Sequence, residues 1–462
     1  MPGHPDPALA PSAHSAPALA LPAHPDPLAD RLHDSGLLAE LAHGLGGPFH
    51  YLLPHRFDDN LAAFRTALTD AGVEGRVYYA KKANKAGVFT ERCAALGAGV
   101  DVASLGELRD ALGHGVRGED LVVTGPAKST ELLRVAVQQG ALIAVDALDE
   151  LDRVLTLRQT RPSRVLLRVH PGIQPGSRFG LDEEDLDEAV HDCAEAGDQV
   201  RMEGFSFHLS GYDPQQRTDL AGDLVERCLK ARVLGLRADR ISIGGGFAVD
   251  YVPAGEWRTF LDRQHPGDYH AGKTFTAADF YPYHSPVAGA AALAAVLSAR
   301  PGGHGESLAD RLRQAGVMLL LEPGRALLDR AGSSVFTIQG VKEREGYSIV
   351  TVDGTSLSLS EQWFASEYLP DPRLLPARPR PVTAETYRAC VGGASCLDSD
   401  LLTWRKIAFP VRPYAGDRLV YPNTAGYQMD SNESPFHELP LPPKVVIDHP
   451  DDTSRPRWRL DR

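Results

Sequence analysis

The sequence has no apolar run long enough to cross a membrane and no extended block of lysine and arginine. A membrane-spanning helix needs about 18 uninterrupted apolar residues, and no stretch of the 462 residues comes near that length. Nucleic-acid binding needs a basic face that contacts phosphates, whereas this chain carries a formal net charge of -13. We therefore expect neither a membrane protein nor a nucleic-acid-binding protein.

Cysteines are also few, and they form neither a C-x-x-C motif nor a cysteine and histidine pattern with metal-ligand spacing. No metal site is expected. A signal peptide is not expected either, because no basic segment precedes the short apolar run at 18–21. A reduced, cytoplasmic environment fits these features. The five cysteines are Cys93, Cys193, Cys228, Cys390 and Cys396.

The composition is that of a soluble globular protein, with 24% charged and 43% hydrophobic residues. A chain of 462 residues can bury a large core and is long enough for two domains. Residues 1–28 differ from the rest, because a segment rich in proline, alanine and histidine cannot bury enough apolar surface to offset its chain entropy. We expect those residues to form a disordered tail.

From residue 55 onward, short apolar runs alternate with amphipathic segments of helical length. This alternation predicts a parallel (β/α)8 barrel over residues 55–332. Short runs separated by turns rich in proline and glycine predict a β-rich domain at 333–462, and we expect the N-terminal segment at 29–54 to pack with it. The eight apolar runs lie at 77–80, 100–103, 121–124, 142–145, 165–169, 204–208, 241–243 and 318–321.

The interval between the last two predicted barrel strands is unusually long. This insertion, at about 248–316, contains the aromatic sequence F-Y-P-Y-H-S-P at 280–286. It follows the seventh strand, at the edge of the barrel where active sites lie. Two interpretations are open: a lid or pocket element over the site, and an insertion that only packs outside.

Two adjacent lysines, Lys81 and Lys82, end the first predicted barrel strand. Because side chains alternate along a strand, one of them is expected to point into the barrel while the other faces the surrounding layer. A desolvated lysine would have a lowered pKa and could attack a carbonyl as the free amine, as a Schiff base requires. Taken alone, this stretch favours two solvated surface lysines, and only the rest of the chain reverses that interpretation.

Three further groups follow later strands of the predicted barrel. His208 could stack on a planar cofactor ring or be a structural histidine, and nearby Ser210 could bind an anion. The glycines at 244–246 could form an anion-binding nest or only a tight turn. Glu322 places a carboxylate beside exposed amides. One edge of the barrel would thus gather a lysine, a histidine, a phosphate-type nest and a carboxylate.

In this order, these groups resemble the fold-type III pyridoxal-phosphate enzymes, the family of diaminopimelate, ornithine and arginine decarboxylases. The resemblance covers roughly residues 45–440. The matching motifs are Y-A-K-K-A-N at 79–84, D-x-x-S-x-x-E at 101–107, G-P-A-K at 125–128, S-R-F-G at 177–180, G-G-G-F at 244–247, E-P-G-R at 322–325, C-x-x-x-D at 396–400 and A-G-Y at 425–427.

The resemblance implies that the cofactor is pyridoxal 5'-phosphate, that Lys82 holds it as an aldimine and that His208 stacks on its ring. It also implies that Glu322 faces the ring nitrogen. A carboxylate there keeps that nitrogen protonated and makes the ring an electron sink for the carbanion left by carbon dioxide loss. The groups implied to surround the phosphate are Ser210, Gly245, Gly246, Gly324, Arg325 and Tyr427.

The resemblance also assigns the proton donor and the assembly. Cys396 would be the general acid that protonates the product carbon, delivered with Asp400 from the partner subunit of a homodimer with shared sites. The alternative for Cys396 is a small buried hydrophobic residue.

The sequence departs from the family where the substrate binds. Leu397 stands where the diaminopimelate and ornithine enzymes carry an acid that meets the distal amine of the substrate. Asp398 is a candidate replacement, and Glu361 is another candidate substrate residue, although a solvated acidic face is equally compatible. Ser210 is less securely assigned, because the order of serine and glycine is exchanged at 210–211. These departures indicate a divergent branch of the family.

The predicted function is decarboxylation of an amino acid or an amino-acid-derived intermediate. A racemase or epimerase with the same barrel is an alternative, but alanine racemases place an arginine at the ring nitrogen, where this sequence has Glu322. A pyridoxal-phosphate-binding protein without turnover is the other alternative. The small relatives of that kind are single barrels, so the β-domain and Cys396 argue against it.

Overall fold

The computed structural model of the chain forms a closed barrel joined to a second β-sheet. Among the residues that it describes, no helix is both long and apolar enough to cross a membrane. The described residues are 19–157, 161–359, 368–382, 386–448 and 456–461.

The N-terminal part contributes two helices and one strand. Helix α1 (Pro27–Asp34) and helix α2 (Leu37–Leu45) precede strand β1 (Phe49–Leu52). The apolar periodicity continues across both helices, but Gly36 adopts a left-handed backbone with φ 77° and separates them.

The predicted disordered tail at 1–28 is wrong for its last ten residues, whereas residues 1–18 lie outside the described chain. Leu19 and Leu21 are buried, and the backbone N–H of Leu21 donates to a carboxylate oxygen of Asp371 at 2.9 Å. Composition averaged over the whole segment hides these two leucines. Their hydrogen-bond partners, Asp371 for Leu21 and Arg405 for Leu19, lie 350 and 386 residues further along the chain, which no local pattern can indicate.

The barrel has eight parallel strands in sequence order, which confirms the predicted (β/α)8 fold. All four residues of the fourth barrel strand are buried, as expected for a strand covered on both faces. The strands are β2 (Gly75–Ala80), β3 (Gly99–Val102), β4 (Leu121–Val123), β5 (Leu142–Val145), β6 (Ser163–Arg168), β7 (Val200–Ser206), β8 (Arg240–Ser242) and β9 (Met318–Leu321).

Helices surround the barrel, and five of the ten begin at a polar side chain that caps the helix. Ser104 accepts a hydrogen bond from the backbone N–H of Glu107 and starts the helix that follows β3. The helices are α3 (Pro54–Asp70), α4 (Gly87–Leu96), α5 (Leu105–Gly113), α6 (Thr130–Gln139), α7 (Leu148–Thr156), α8 (Glu183–Glu195), α9 (Pro214–Val233), α10 (Ala254–Arg263), α11 (Gly289–Ser298) and α12 (Leu308–Ala315).

Only part of the long interval between β8 and β9 is additional to the barrel. Helices α11 and α12 pack against α9 and belong to the outer layer of helices. The segment around α10 instead contacts the second sheet, where Lys406 donates to the carbonyl oxygen of Gly267 at 2.9 Å. The insertion therefore fills the space between the barrel and the second sheet.

The second sheet is mixed and incorporates the N-terminal strand. Strand β1 pairs antiparallel with β10 (Gly332–Arg344) and parallel with β16 (Lys444–Asp448). The main path runs β14-β13-β11-β10-β1-β16-β17, and β12 and β15 pair beside it. The other strands are β11 (Tyr347–Val352), β12 (Arg373–Leu375), β13 (Tyr387–Gly392), β14 (Leu401–Phe409), β15 (Arg418–Tyr421) and β17 (Arg457–Leu460).

Candidate active site

A cavity of about 760 Å³ opens at the carboxyl ends of the barrel strands. In a (β/α)8 barrel this end carries the active site. The lining includes all nine residues that the sequence predicts to contact the cofactor: Lys82, His208, Ser210, Gly245, Gly246, Glu322, Gly324, Arg325 and Tyr427.

The two adjacent lysines have different environments, because the chain turns into a short 3-10 helix directly after β2. The Lys81 ammonium is buried and lies 2.7 Å from a carboxylate oxygen of Asp110, with Thr90 as a further partner at 3.3 Å. The Lys82 side chain lines the cavity, and its Nζ lies 3.8 Å from an oxygen of Asp101. Only Lys82 is therefore placed to react inside the cavity.

The pKa of Lys82 is raised rather than lowered, so the expectation from desolvation alone is wrong. Burial does favour the neutral amine, but the negative charges of Asp101 and Glu322 favour the ammonium more strongly. The sequence around Lys82 could not predict the effect of Asp101 and Glu322, because these carboxylates come from β3 and from the loop after β9.

Glu322 lines the cavity and is half-buried. Its Oε1 accepts a hydrogen bond from the Ser242 hydroxyl at 2.6 Å. Burial and the nearby charge of Asp101 raise the pKa of Glu322 to about 7. A cationic group bound next to Glu322 would favour its ionised form, so this carboxylate suits a protonated ring nitrogen.

His208 is held as a neutral ring. Burial, with the positive charges of Lys82 and Arg168, lowers its pKa to about 3. The glycine turn after β8 packs against the imidazole so closely that a Cβ at Gly244 would lie 2.8 Å from Nδ1. A neutral, fixed imidazole can stack on a planar cofactor.

Close backbone approaches shape the end of the cavity where we expect the phosphate. A Cβ at Gly245 would lie 2.7 Å from the carbonyl oxygen of Glu322, and one at Gly324 would lie 3.1 Å from the Tyr427 hydroxyl. Arg325 is buried, and its Cζ lies 4.1 Å from the centre of the Tyr281 ring. Tyr281 belongs to the insertion, so the insertion contributes to the surroundings of this arginine.

Ser210 lies on the loop after β7, at the cavity wall. Gln174 fixes its backbone through two hydrogen bonds: the Gln174 amide donates to the Ser210 carbonyl at 2.8 Å, and the Ser210 N–H donates back at 3.0 Å. Despite the exchanged order of serine and glycine, Ser210 lies at the cavity, but its backbone N–H already donates to Gln174.

Cys396 is the exposed cysteine among the five, and the described lining of the cavity does not include it. Its Sγ lies 3.1 Å from Nε2 of His437. His437 has a left-handed backbone with φ 59°, which is uncommon for a residue with a side chain. The sequence did not predict that His437 lies next to Cys396, because 41 residues separate them along the chain.

The three predicted substrate residues differ in placement. Both carboxylate oxygens of Asp400 accept backbone hydrogen bonds, one from the N–H of Ser395 in the same loop at 3.0 Å and one from the N–H of Ser356, after β11, at 2.7 Å. Asp398 is exposed. Glu361 lies outside the described residues. In the single chain, Asp400 therefore stabilises its loop and is not free to meet a substrate.

Two arginines and one phenylalanine of the cavity lining were not assigned a role from the sequence. Arg168 ends β6 and pairs with Asp146 at 3.2 Å. The guanidinium carbons of Arg168 and Arg178 lie 4.4 and 4.5 Å from the centre of the Phe179 ring. The sequence could have identified Arg178 as a site residue, because it replaces the lysine of the family's S-K-F-G motif.

The donor set fits a phosphorylated pyridine aldehyde. It combines an amine, a carboxylate, a neutral ring and a glycine-rich wall with Arg325. In addition, Ser206 in the lining has a buried hydroxyl with no partner in the described protein, and a buried hydroxyl normally has a hydrogen bond.

Comparisons with known proteins agree with this arrangement. Residues 56–265 match the family model of the pyridoxal binding domain of pyridoxal-dependent decarboxylases. The chain is 40% identical over 425 residues to the uncharacterized protein y4yA of Sinorhizobium fredii, covering 91% of this chain and 92% of that one. It is 28% identical over 449 residues to a diaminopimelate decarboxylase of Actinosynnema pretiosum, covering 91% and 90%.

A solved structure shares the fold. The diaminopimelate decarboxylase of Helicobacter pylori, crystallised with L-lysine, superposes with a TM-score of 0.69 at 18% identity, over 90% of this chain and 93% of that one. The protein belongs to the fold-type III family of pyridoxal-phosphate-dependent decarboxylases, a family of carboxy-lyases, and its cofactor is pyridoxal 5'-phosphate.

Proposed function

We propose that the protein decarboxylates an amino acid or an amino-acid-derived intermediate in the cavity that contains Lys82. The observation that carries this proposal is the composition of the cavity lining. Its described residues bring together one carboxylate, Glu322, the amine of Lys82 and the neutral imidazole of His208. Bound pyridoxal phosphate supplies an electron sink for the electrons left by the departing carbon dioxide.

The residues of the chain hold the cofactor and orient it. Lys82 would hold its aldehyde carbon, Glu322 would accept a hydrogen bond from the ring nitrogen, and His208 would stack on the ring. Because burial keeps His208 neutral, it adds no positive charge that would compete with the ring for Glu322. The phosphate lies among Ser210, Gly245, Gly246, Gly324, Arg325 and Tyr427, whose backbone amides, hydroxyls and guanidinium are donors suited to an anion.

Cys396 is proposed to give a proton to the product carbon, in a site that a partner subunit completes. In support, the thiol is exposed and lies at the imidazole of His437. The apolar side chains of Leu397 and Phe436 beside it are exposed as well, which suits a surface covered by a second copy. A homodimer would then hold two shared sites.

The charges at the cavity favour a substrate whose side chain is acidic or neutral rather than basic. Of the cationic side chains in the described lining, Lys82 lies near Asp101, Arg168 pairs with Asp146 and Arg325 is assigned to the phosphate, which leaves Arg178 for the substrate. Among the residues that the structure describes, no carboxylate pairs with Arg178. Leu397 replaces the acid expected for a distal amine.

We also propose a cytoplasmic location, because the described cysteines are free thiols.

The test is carbon dioxide release by the purified holoenzyme from L-glutamate and L-2-aminoadipate, and from L-lysine, L-ornithine and diaminopimelate. We expect kcat/KM for an acidic substrate to exceed that for lysine by about tenfold or more, and Arg178→Gln to remove that preference. Lys82→Ala is the control without turnover.

The outcomes separate the two parts of the proposal. Faster release from lysine would contradict the substrate class and leave the reaction intact. Incorporation of solvent deuterium at the α carbon, with the carboxylate retained on every amino acid, would contradict decarboxylation and indicate a racemase.

A further inference from the structure

One arginine is buried next to the cavity without a counter-charge. Arg217 lies in the first turns of α9 and is 2% exposed. Its Nη2 reaches only the carbonyl oxygen of Leu209, at 3.5 Å, and its buried Nε has no hydrogen-bond partner. Among the described residues, no carboxylate forms an ion pair with its guanidinium. Tyr212 and then Asp213 favour its charged form from a greater distance, and the centre of the Phe247 ring lies 5.8 Å from Cζ.

Another buried arginine, Arg405, has a carboxylate partner, although its Nε also lacks a hydrogen bond. Arg405 is as deeply buried as Arg217, but its guanidinium bonds to Asp371 at 2.5 Å and to two backbone carbonyls. Burial lowers the pKa of Arg217 to about 10, so the side chain still carries its charge at neutral pH. A buried charge without a partner is strongly unfavourable, and an anion bound nearby would relieve that cost.

The guanidinium lies directly behind the glycine turn after β8. A Cβ at Gly246 would lie 2.4 Å from Nη2 of Arg217 and 3.2 Å from the carbonyl oxygen of Gly211. Gly246 and Gly211 both line the cavity. The arginine therefore lies next to the two loops that line the cavity, beside the Phe247 ring that is also part of the lining.

We propose that Arg217 is the buried counter-charge for the phosphate of the cofactor. It acts through the loop at Gly246 and does not need to touch the phosphate, so it is a positioning residue. Arg325 would face the phosphate from within the cavity while Arg217 attracts it from behind the wall. This inference rests on pyridoxal phosphate as the cofactor and is independent of the reaction that follows.

The first experiment compares two aldehydes that differ only by the phosphate. Cofactor-free wild type and Arg217→Met are titrated with pyridoxal phosphate and with pyridoxal, and binding is followed by absorbance. We expect Arg217→Met to bind pyridoxal phosphate about tenfold more weakly and to bind pyridoxal within about twofold of wild type. Arg217→Lys keeps the charge and should retain most of the preference for the phosphate.

Arg227→Met is the matched control, because Arg227 lies on the same helix but pairs with Glu183 at the surface. It should leave both affinities unchanged. An unchanged affinity of Arg217→Met for pyridoxal phosphate would overturn the proposal. Equal weakening for both aldehydes would do so as well, because it would indicate general damage to the site.

The second experiment measures thermal unfolding of the cofactor-free full chain, with and without inorganic phosphate. Without phosphate, Arg217→Met should unfold at or above the midpoint of wild type, because it removes an uncompensated buried charge. Phosphate should raise the wild-type midpoint more than chloride does at equal ionic strength, and should raise that of the variant less. Loss of folding in Arg217→Met without phosphate, or equal gains in both proteins, would contradict the proposal.

Discussion

At the scale of single residues, the site depends on which of two adjacent lysines enters the cavity. Alternation along β2 predicts that one lysine points inward, and the motif favours Lys82; in the structure Asp110 binds Lys81 and leaves Lys82 in the cavity. The sequence could not predict the raised pKa of Lys82, because Asp101 and Glu322 come from other parts of the chain.

Cys396 should be the one rapidly alkylated thiol. The other four cysteines are buried, and burial raises the pKa of Cys193 and of Cys228 to about 12. We expect iodoacetamide to modify Cys396 at least about tenfold faster than any other cysteine, because only an accessible thiolate reacts. Peptide mass mapping over time measures this.

His437→Gln provides the matched variant for that measurement. The imidazole lies at Sγ and can accept its proton, so its replacement should slow alkylation of Cys396 about threefold or more. An unchanged rate would mean that His437 does not assist the thiol, and faster labelling of a buried cysteine would contradict the packing described above.

At the scale of secondary-structure elements, strands and helices were largely predictable because their signal is local. The apolar run at 142–145 and the capped helix at 105–113 match the structure. The strand with which a given strand pairs cannot be predicted from local sequence. Nothing in residues 49–52 indicates that they insert between β10 and β16, and nothing in the insertion indicates that it packs on the second sheet.

Strand β7 contains an irregularity that requires glycine. The pairing register of β6 and β7 shifts next to Gly204, which has φ +148°. A Cβ there would lie 1.7 Å from the carbonyl oxygen of Arg240 on β8. We expect Gly204→Ala to lower the free energy of unfolding by about 3 kcal/mol, because the pairing of β7 with β8 must open.

Urea unfolding of Gly204→Ala and Gly113→Ala tests this. Gly113 ends α5, and a Cβ there meets nothing within 4 Å, so its replacement should change the free energy of unfolding by less than about 0.5 kcal/mol. Similar changes in the free energy of unfolding for the two substitutions would show that the close approach at Gly204 does not require glycine.

At the scale of the whole molecule, buried neutral histidines should make stability depend on pH. Burial is the main cause that lowers the pKa of His33 to about 4 and of His50 and His208 to about 3. Below about pH 6.5 the unfolded chain protonates these histidines and the folded chain does not. The free energy of unfolding therefore falls with acidification, by up to about 1.4 kcal/mol per pH unit for each histidine.

Glu322 opposes this trend, because its raised pKa of about 7 makes the folded chain bind a proton before the unfolded one does. Burial also raises the pKa of the carboxyls that act in the same direction as Glu322, namely Glu107, Asp146, Asp223, Asp329 and Asp353. Because the pKa of each of the three histidines falls to about 4 or below, the cofactor-free chain should still unfold at a lower temperature at about pH 5 than at about pH 7. His50→Gln should reduce that difference. A higher midpoint at about pH 5 would contradict the account of these buried rings.

The central claim is that Lys82 binds pyridoxal phosphate inside the cavity. It is tested most directly by treating the holoenzyme with borohydride, which fixes the bond between a lysine and the cofactor, and by locating the modified residue through peptide mass mapping. The account predicts modification at Lys82, none at Lys81, and loss of the visible absorbance of the cofactor in Lys82→Ala. Modification of Lys81, or a Lys82→Ala variant that keeps the absorbance, would contradict it.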